Sequence, residues 1–297
     1  MSIDGILNVN KPEGTTSFSV VSLLKFLSHE KRVGHAGTLD PMASGVLPIC
    51  LGQATRVVEF LTNCNKTYIA QIELGAISDT LDREGIINIC SNPVTFKATQ
   101  VEKALRAFIG TIEQVPPRYS ALKYKGEPYY SLARKGVLLD PKPRTVTIFN
   151  IDLMDLDMPV ITIKVTCSKG TYIRSLAHDI GQYLGCGAYL RNLTRTQCGT
   201  FVIEDALPLS EIKCIFHKGI WEKYLYPVDI PLVDWQTLII DEIQESTIRN
   251  GKSVPVENNQ LISEPYCRAY NKTGKLIALL ELLPGEKMWH PKKVFTL

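Results

Sequence analysis

A glycine-rich segment, residues 34–45, carries the first side chains that could do chemistry. Three glycines and one proline in twelve residues favour a loop whose backbone can approach a ligand closely. The loop offers one carboxylate, Asp40, and one imidazole, His35. A carboxylate can attack an electrophile or accept a proton. On its own, however, Asp-Pro is more often part of a turn, and His35 alone is more often an ordinary loop residue.

Two further segments place reactive side chains at the start of regular elements. Lys66-Thr67-Tyr68 opens an alternating strand, where Tyr68 by itself would be a core aromatic. Gly170 precedes a predicted helix, which puts Arg174 in its first turn. The helix dipole disfavours a cation there. Arg174 is therefore either a solvated charge or the partner of a specific anion.

A basic stretch lies between Arg118 and Arg144. Seven Lys and Arg residues stand against Glu127 and Asp140, which gives +5, more than the net charge of +3 for the whole chain. Four tyrosines are interleaved with them. Basic side chains neutralise phosphates and tyrosines stack on bases, so the stretch is either an RNA-binding segment or a solvated basic loop.

The bulk composition excludes several classes of protein. With 45% hydrophobic and 21% charged residues, the 297-residue chain can bury a full core. The eight cysteines lack CxxC spacing, so we expect buried free thiols rather than a zinc site or a disulfide framework. We find neither a secretion signal nor 18 consecutive apolar residues, and expect a cytoplasmic protein outside the membrane.

Hydrophobic periodicity predicts the elements that position these side chains. In the strand at 66–75, Tyr68, Ala70, Ile72 and Leu74 share one face. Residues 145–156 and 160–168 read as a hairpin, and an acidic turn with a structural role occupies 78–85. Other predicted strands are 5–10, 46–51 and 189–201. Helices are predicted at 18–28, 54–61 and 171–184, and the first of them is capped by Ser17. A further helix begins at a capping box at 99–102, and a short helix is capped by Ser210.

The mixture of elements has no strict βαβ rhythm. It predicts an α+β fold with a central, largely antiparallel mixed sheet flanked by helices. After about Asp234 the chain changes to short strand-like runs separated by turns. We therefore expect a catalytic domain at 1–233 and a small all-β barrel at 234–297.

Two strings together resemble a known family. Residues 34–52 and the opening Gly5-Ile6-Leu7-Asn8-Val9-Asn10-Lys11-Pro12 are similar to the signatures of TruB-type tRNA pseudouridine synthases. The resemblance runs over most of residues 5–201. It implies a pseudouridine synthase fold followed by a PUA-like RNA-binding domain, and an enzyme that isomerises uridine 55 in the T arm of tRNA.

The resemblance also implies roles for individual residues. Asp40 would be the catalytic aspartate, paired with Arg174, which would keep it ionised and in position. Tyr68 would stack on the flipped uracil and could help remove the proton from C5. Tyr172 and Leu193 would line the pocket.

His35 would occupy the space that the extruded base leaves. Residues 118–144 would form a mobile thumb that closes on the tRNA arm. The candidate RNA contacts are basic side chains, most of them in this thumb: Lys11, Arg118, Lys123, Lys125, Arg134, Lys135 and Arg144.

Pseudouridine formation breaks the N1–C1′ bond and joins C5 to C1′ without net gain or loss of atoms. It therefore requires no cofactor and no metal. Attack on the sugar, attack on the base and a glycal route all remain open. We expect tRNA as the partner, no obligate protein partner and a monomer. Two alternatives are a guide-RNA-dependent pseudouridine synthase and a non-catalytic RNA-binding or RNA-folding protein.

Overall fold

A ten-stranded sheet organises the first two thirds of the chain. The computed structural model describes residues 3–90, 94–120, 123–124, 126–129, 139, 141–256 and 265–296. These residues form nineteen strands and six α-helices. The first nine strands are β1 (Gly5–Lys11), β2 (Val33–His35), β3 (Ser44–Leu51), β4 (Lys66–Leu74), β5 (Ala76–Ser78), β6 (Ile87–Ile89), β7 (Gly110–Gln114), β8 (Lys123–Tyr124) and β9 (Glu127–Pro128).

The remaining strands are longer on average and complete both large sheets. They are β10 (Arg144–Asp157), β11 (Val160–Cys167), β12 (Ala188–Cys198), β13 (Phe201–Val202), β14 (Leu207–Pro208), β15 (Gln236–Ile240), β16 (Val254–Pro255), β17 (Tyr266–Asn271), β18 (Leu276–Leu282) and β19 (Met288–Val294). The helices are α1 (Ser17–Ser28), α2 (Val58–Asn63), α3 (Ala98–Arg106), α4 (Ile173–Leu184), α5 (Leu209–His217) and α6 (Glu242–Arg249).

The large sheet is mixed but mostly antiparallel. Its order is β14–β1–β3–β12–β4–β11–β10–β7, with β2 added to β3 and β13 to β12. Within this sheet, the only parallel pairs among the described strands are β1–β14 and β3–β12. The predicted α+β class and the hairpin of β10 and β11 are confirmed, and β4 lies inside the sheet between β12 and β11.

Alternation along the strands gives the sheet two buried faces. On β3, Leu47 and Ile49 enter one apolar core with residues of α1, α3 and α4, whereas Val46 and Cys50 enter a second core on the opposite face. On β4, the predicted inward set headed by Tyr68 is buried as expected. Helices α1, α3 and α4 therefore cover one face, and the second core, to which α2 also contributes, faces the C-terminal part of the chain.

The C-terminal part is a curled five-stranded sheet in the order β15–β17–β18–β19–β16. Its predicted strands are confirmed in outline, but the all-β prediction is wrong because α6 follows β15. Asp241 caps this helix by accepting from the backbone N–H of Gln244, whose side chain accepts from Asp241 in return. Sequence periodicity did not predict this helix, although an aspartate followed three residues later by a glutamine is the spacing of a capping box.

Several helix starts also differ from prediction. Thr16, not Ser17, caps α1. Lys97, not Thr99, precedes α3, because Gln100 reaches back to the Lys97 N–H. Residues Gly52–Val57 form a 3-10 turn before α2, and α5 begins at Leu209 without a side-chain cap.

The eight cysteines are all free thiols. Cys90 and Cys214 are exposed, contrary to the predicted burial, because they lie on surface segments rather than inside the sheet. Among the described residues, no helix combines the length and apolar character needed to cross a membrane.

Candidate active site

A cavity of about 500 Å³ opens where the 34–45 loop meets β4, β12 and the start of α4. Such a volume is within the range of small-ligand pockets. Its wall contains Asp40, Tyr68, Tyr172, Arg174 and Leu193. Five of the six residues predicted to contact or act on the substrate are thus neighbours in space.

The loop that carries Asp40 is held by backbone contacts next to Asp40 and at its C-terminal end. The Gly14 N–H donates to the Pro41 carbonyl at 2.9 Å. Gly45 has φ +104°, and a Cβ there would lie 2.2 Å from the carbonyl oxygen of Arg195. Only glycine fits this close approach of β3 to β12.

Arg174 is a buried cation held by two carboxylates. Its Nε lies 2.9 Å from Asp40 Oδ2 and its Nη1 lies 3.3 Å from Asp82 Oδ2. Nη2 donates to the Tyr119 carbonyl at 3.0 Å. The Arg174 side chain is 5% exposed and that of Asp40 is 35% exposed. The arginine is therefore fixed inside the fold, while the carboxylate it holds faces the cavity.

Asp82 is the member of this network that the sequence did not identify. It belongs to the acidic turn after β5, and 5% of its side chain is exposed. The Thr80 hydroxyl donates to Asp82 at 2.6 Å and the Glu84 N–H donates at 3.0 Å. The turn is structural, as predicted, but it also supplies the second anion for Arg174.

Tyr68 and Arg195 face each other across β4 and β12, where they are register partners. The Arg195 guanidinium donates to the carbonyls of Val46 at 2.7 Å and Gly37 at 3.1 Å. Burial raises the pKa of Tyr68 to about 12, although the charge of Arg195 acts to lower it. Tyr68 thus keeps its proton at neutral pH, which weighs against a phenolate base.

Tyr172 immediately precedes α4 and Leu193 lies on β12, and both side chains line the cavity. Burial raises the pKa of Tyr172. His35 lies on β2, outside the described residues that line the cavity. Burial and the charge of Arg195 lower the pKa of His35, so its imidazole is neutral.

The structure does not support Lys11 as an RNA contact. The side chain is fully buried, and its ammonium group donates to the carbonyls of Pro12 at 2.9 Å, Thr15 at 2.6 Å and Pro41 at 3.4 Å. Lys11 was a candidate RNA contact because of its charge, but the Asp40 loop folds over it. Lys11 supports that loop from beneath.

The other predicted RNA contacts divide into two groups. Arg118 and Arg144 are exposed, and Arg144 also lines the cavity. Lys125, Arg134 and Lys135 lie outside the described residues, and of Lys123 only the backbone, in β8, is described.

Two cations of the cavity wall were missed by sequence reasoning. Lys66 donates to the carbonyls of Thr62 and Cys64, and Arg195 donates to those of Val46 and Gly37. Arg195 stands two residues after Leu193 on a strand, so alternation places it on the same inward face. A charge at an inward strand position was the available signal. Within the described residues, no group of three or more potential ligands could hold a metal ion.

Comparison with known proteins matches most of the chain to the family that the sequence strings at 5–12 and 34–52 resemble. Residues 25–173 match the TruB family pseudouridylate synthase N-terminal domain, and residues 174–233 match the tRNA pseudouridylate synthase B C-terminal domain. The chain is 42% identical to tRNA pseudouridine synthase B of Clostridium kluyveri over 279 residues, covering 93% of this chain and 95% of that protein.

The corresponding protein of Clostridium acetobutylicum is 44% identical over 281 residues, with 93% and 95% coverage. Among solved structures, a Cbf5-Nop10-Gar1 complex superposes with a TM-score of 0.75 at 26% identity, covering 98% of this chain and 85% of that chain. The chain belongs to the TruB family of pseudouridylate synthases.

Proposed function

We propose that this chain isomerises uridine to pseudouridine in tRNA, at position 55 of the T arm, with Asp40 as the catalytic group. The observation that carries the proposal is the Asp40–Arg174 ion pair, in which a buried guanidinium holds a partly exposed carboxylate at the wall of the cavity. The curated relatives named tRNA pseudouridine synthase B support the substrate class.

The reaction requires a carboxylate at the junction of ribose and uracil. The N1–C1′ bond breaks, the base turns, and C5 bonds to C1′ while the C5 hydrogen leaves and N1 gains a proton. The Arg174 guanidinium lies 2.9 Å from Asp40 Oδ2 and holds this partly exposed carboxylate at the cavity wall. The chemistry is internal to the nucleotide and needs no cofactor.

The wall of the cavity suits an extruded base. In our proposal the Tyr68 ring stacks on the uracil, and base–aromatic stacks contribute about 1–3 kcal/mol each. Tyr172 and Leu193 flank the base, and Arg174 supplies the positive charge beside Asp40. His35 would fill the gap left in the RNA, which requires the RNA to approach β2. Extruding a base from the RNA costs the least unstacking free energy when the base already lies in a loop.

Substrate recognition in this proposal relies on shape and charge. Arg118 and Arg144 contact phosphates near the cavity mouth, and the 118–144 stretch acts as the thumb. The 234–297 region contacts the tRNA away from the target base. The enzyme would work as a monomer without a protein partner, in the cytoplasm where tRNA is modified.

Substitution of Asp40 tests the catalytic assignment. An Asp40→Asn variant should bind tRNA with a Kd within about threefold of the parent protein and form no pseudouridine. The assay follows release of tritium from tRNA labelled at the uridine C5 position. Asp155→Asn, an exposed carboxylate on β10 away from the cavity wall, serves as the matched control. Full turnover by Asp40→Asn would remove Asp40 from the mechanism.

The two alternatives make different predictions for the purified protein. A guide-RNA-dependent enzyme would leave a bare tRNA transcript unchanged until a guide RNA or another protein is added. A non-catalytic RNA-binding protein would release no tritium under any condition. We expect conversion by the protein alone, and mapping of the product should locate it at a single uridine in the T loop.

A further inference from the structure

Two buried polar side chains hold the backbone beside the Asp40–Arg174 ion pair. Ser17, the first residue of α1, is 2% exposed, and Gln114, the last residue of β7, is 1% exposed. Neither is among the described residues that line the cavity. Burying a polar side chain costs free energy unless it is hydrogen-bonded, so the bonds that each one makes explain its presence.

Ser17 bonds to both backbone groups of Leu39, the residue before Asp40. Its hydroxyl donates to the Leu39 carbonyl at 3.0 Å and accepts from the Leu39 N–H at 2.9 Å. Leu39 lies in a loop, where no strand ladder satisfies these groups. One hydroxyl therefore fixes the peptides on either side of Leu39 and the direction in which Asp40 leaves the backbone.

Gln114 makes the equivalent pair of bonds to Tyr172. Its amide nitrogen donates to the Tyr172 carbonyl at 3.0 Å, and its amide oxygen accepts from the Tyr172 N–H at 2.8 Å. Tyr172 is the residue before α4, two positions before Arg174, and it has no side-chain cap of its own. The next residue of the same segment, Val115, accepts from the Ser175 hydroxyl at 2.7 Å.

The ion pair needs this support because it joins two segments far apart in the chain. Its Nε–Oδ2 distance is 2.9 Å, yet the buried Nε makes no hydrogen bond of good geometry. A contact with poor angular alignment does little to fix the relative orientation of its two groups. The orientation of Asp40 toward Arg174 must then come from the backbone of each segment.

We propose that Ser17 and Gln114 are positioning residues for the isomerisation: each clamps both backbone groups of one residue beside the ion pair, Leu39 for Ser17 and Tyr172 for Gln114. This inference rests on the proposed function. The clamps anchor the two halves of the catalytic pair to α1 and to β7, which belong to the rigid part of the fold. Neither side chain touches the substrate.

The test compares Ser17→Ala and Gln114→Leu with the parent protein. We expect kcat for a tRNA transcript to fall about 10- to 100-fold, since small displacements of reacting groups can cost about 100-fold, while KM changes less than threefold. Ser19→Ala, an exposed hydroxyl on the same helix, and Glu113→Gln, the exposed neighbour on the same strand, are the controls and should retain parental kcat.

Conservative variants and hydrogen exchange separate positioning from simple loss of folding. Ser17→Thr keeps the clamping hydroxyl and should recover kcat, whereas Gln114→Glu, whose carboxylate can accept from the Tyr172 N–H but cannot donate to its carbonyl, should not. In the alanine and leucine variants, the amides of Leu39 and Tyr172 should exchange faster by at least tenfold while strand amides stay protected. If these amides lose protection without any fall in kcat, the clamps do not position the catalytic pair. The same conclusion follows if KM rises by the same factor as kcat falls.

The same experiment distinguishes failure of this inference from failure of the proposed function. Absence of pseudouridine with the parent protein would refute the proposed function. Hydrogen exchange detects the clamps even if the protein forms no pseudouridine. If the amides of Leu39 and Tyr172 stay equally protected in the variants, the clamps are refuted, whatever the outcome for the proposed function. If Ser17→Thr cannot fold around its added methyl group, the Gln114 series decides the question.

Discussion

At the scale of single residues, the site depends on one buried arginine shared by two carboxylates. Removing a charge from water costs several kcal/mol, which the attraction of partners repays only with good geometry. Asp82 is as buried as Arg174, whereas Asp40 remains partly exposed. Asp82 therefore balances the arginine inside the fold, and Asp40 is left free to face a substrate.

Asp82→Asn tests this division of roles. The change preserves shape but leaves Arg174 with one anion, and breaking a buried ion pair typically costs about 3–5 kcal/mol. We expect the free energy of unfolding in urea to fall by about 3 kcal/mol and kcat to fall about tenfold as Arg174 loosens. Asp79→Asn, the exposed aspartate of the same turn, is the control. Unchanged stability would show that Asp82 does not balance the arginine.

Lys11 gives a pH-dependent prediction. Burial lowers its pKa from 10.5 to about 8, although the charge of Asp40 opposes the shift. Between pH 8 and 10.5 the unfolded chain then binds more protons than the folded one. Stability contributed by Lys11 therefore rises with pH across this window, by up to about 3 kcal/mol.

The measurement is the free energy of unfolding at pH 8 and at pH 10 for the parent protein and for Lys11→Met. The parent should gain stability relative to the variant between these values. Lys25→Met, which removes an exposed lysine of α1, should follow the parent. Parallel curves for the parent and Lys11→Met would mean that Lys11 titrates normally.

Local sequence patterns identified some residues of the site and missed others, because such a pattern depends only on neighbours in the chain. Arg174 stood out because a cation at a helix start needs an anion nearby, and the structure has Asp40 there. Asp79 and Asp82 lie in one polar turn, and no local pattern says which is buried. The burial of Lys11 arises from a loop thirty residues later in the chain, which local patterns cannot report.

At the scale of elements, period-two alternation predicted the strands and faces well, because burial of one face dictates it. The start of each helix was predicted less well. Thr16 and Ser17 are both suitable caps, and the chain uses Thr16 as the cap because the Ser17 hydroxyl is bonded to Leu39 instead. A tertiary contact decided between two local options of similar energy.

The close approach of β3 and β12 gives a prediction at this scale. Gly45→Ala would place a Cβ 2.2 Å from the Arg195 carbonyl at a φ of +104°, so the strands must separate. We expect the free energy of unfolding to fall by about 3 kcal/mol and kcat to fall, because Arg195 is the register partner of Tyr68 and both line the cavity. Gly34→Ala, whose Cβ would meet its nearest neighbour at 4.0 Å, should change stability by less than about 1 kcal/mol. Equal effects of the two substitutions would contradict the packing argument.

At the scale of the whole molecule, the two sheets share an apolar core. Leu276, Leu279 and Phe295 of the C-terminal part pack with Ile6 and Val46 of the large sheet. Polar contacts cross the same boundary, including Gln53 to Thr296 at 2.7 Å and Lys293 to Glu59 at 2.9 Å. The predicted division at 233 stays a prediction, but the shared core ties the stability of the two parts together.

Phe295→Ala tests whether the two sheets unfold as one unit. Phe295 is fully buried, and its ring also lies beneath the guanidinium of Arg56, 5.6 Å from the ring centroid. Truncating a buried phenylalanine costs about 3–5 kcal/mol. Since the core is shared, we expect a single urea transition shifted by that amount.

Hydrogen exchange then measures each sheet separately. In Phe295→Ala, the amides of β1 and β3 should lose protection together with those of β18, because opening either sheet exposes the same core. Ile239→Ala, which truncates a side chain 59% exposed on β15, should leave both sheets protected. Loss of protection confined to β18 would mean that the C-terminal sheet opens alone. The large sheet would then be stable without it.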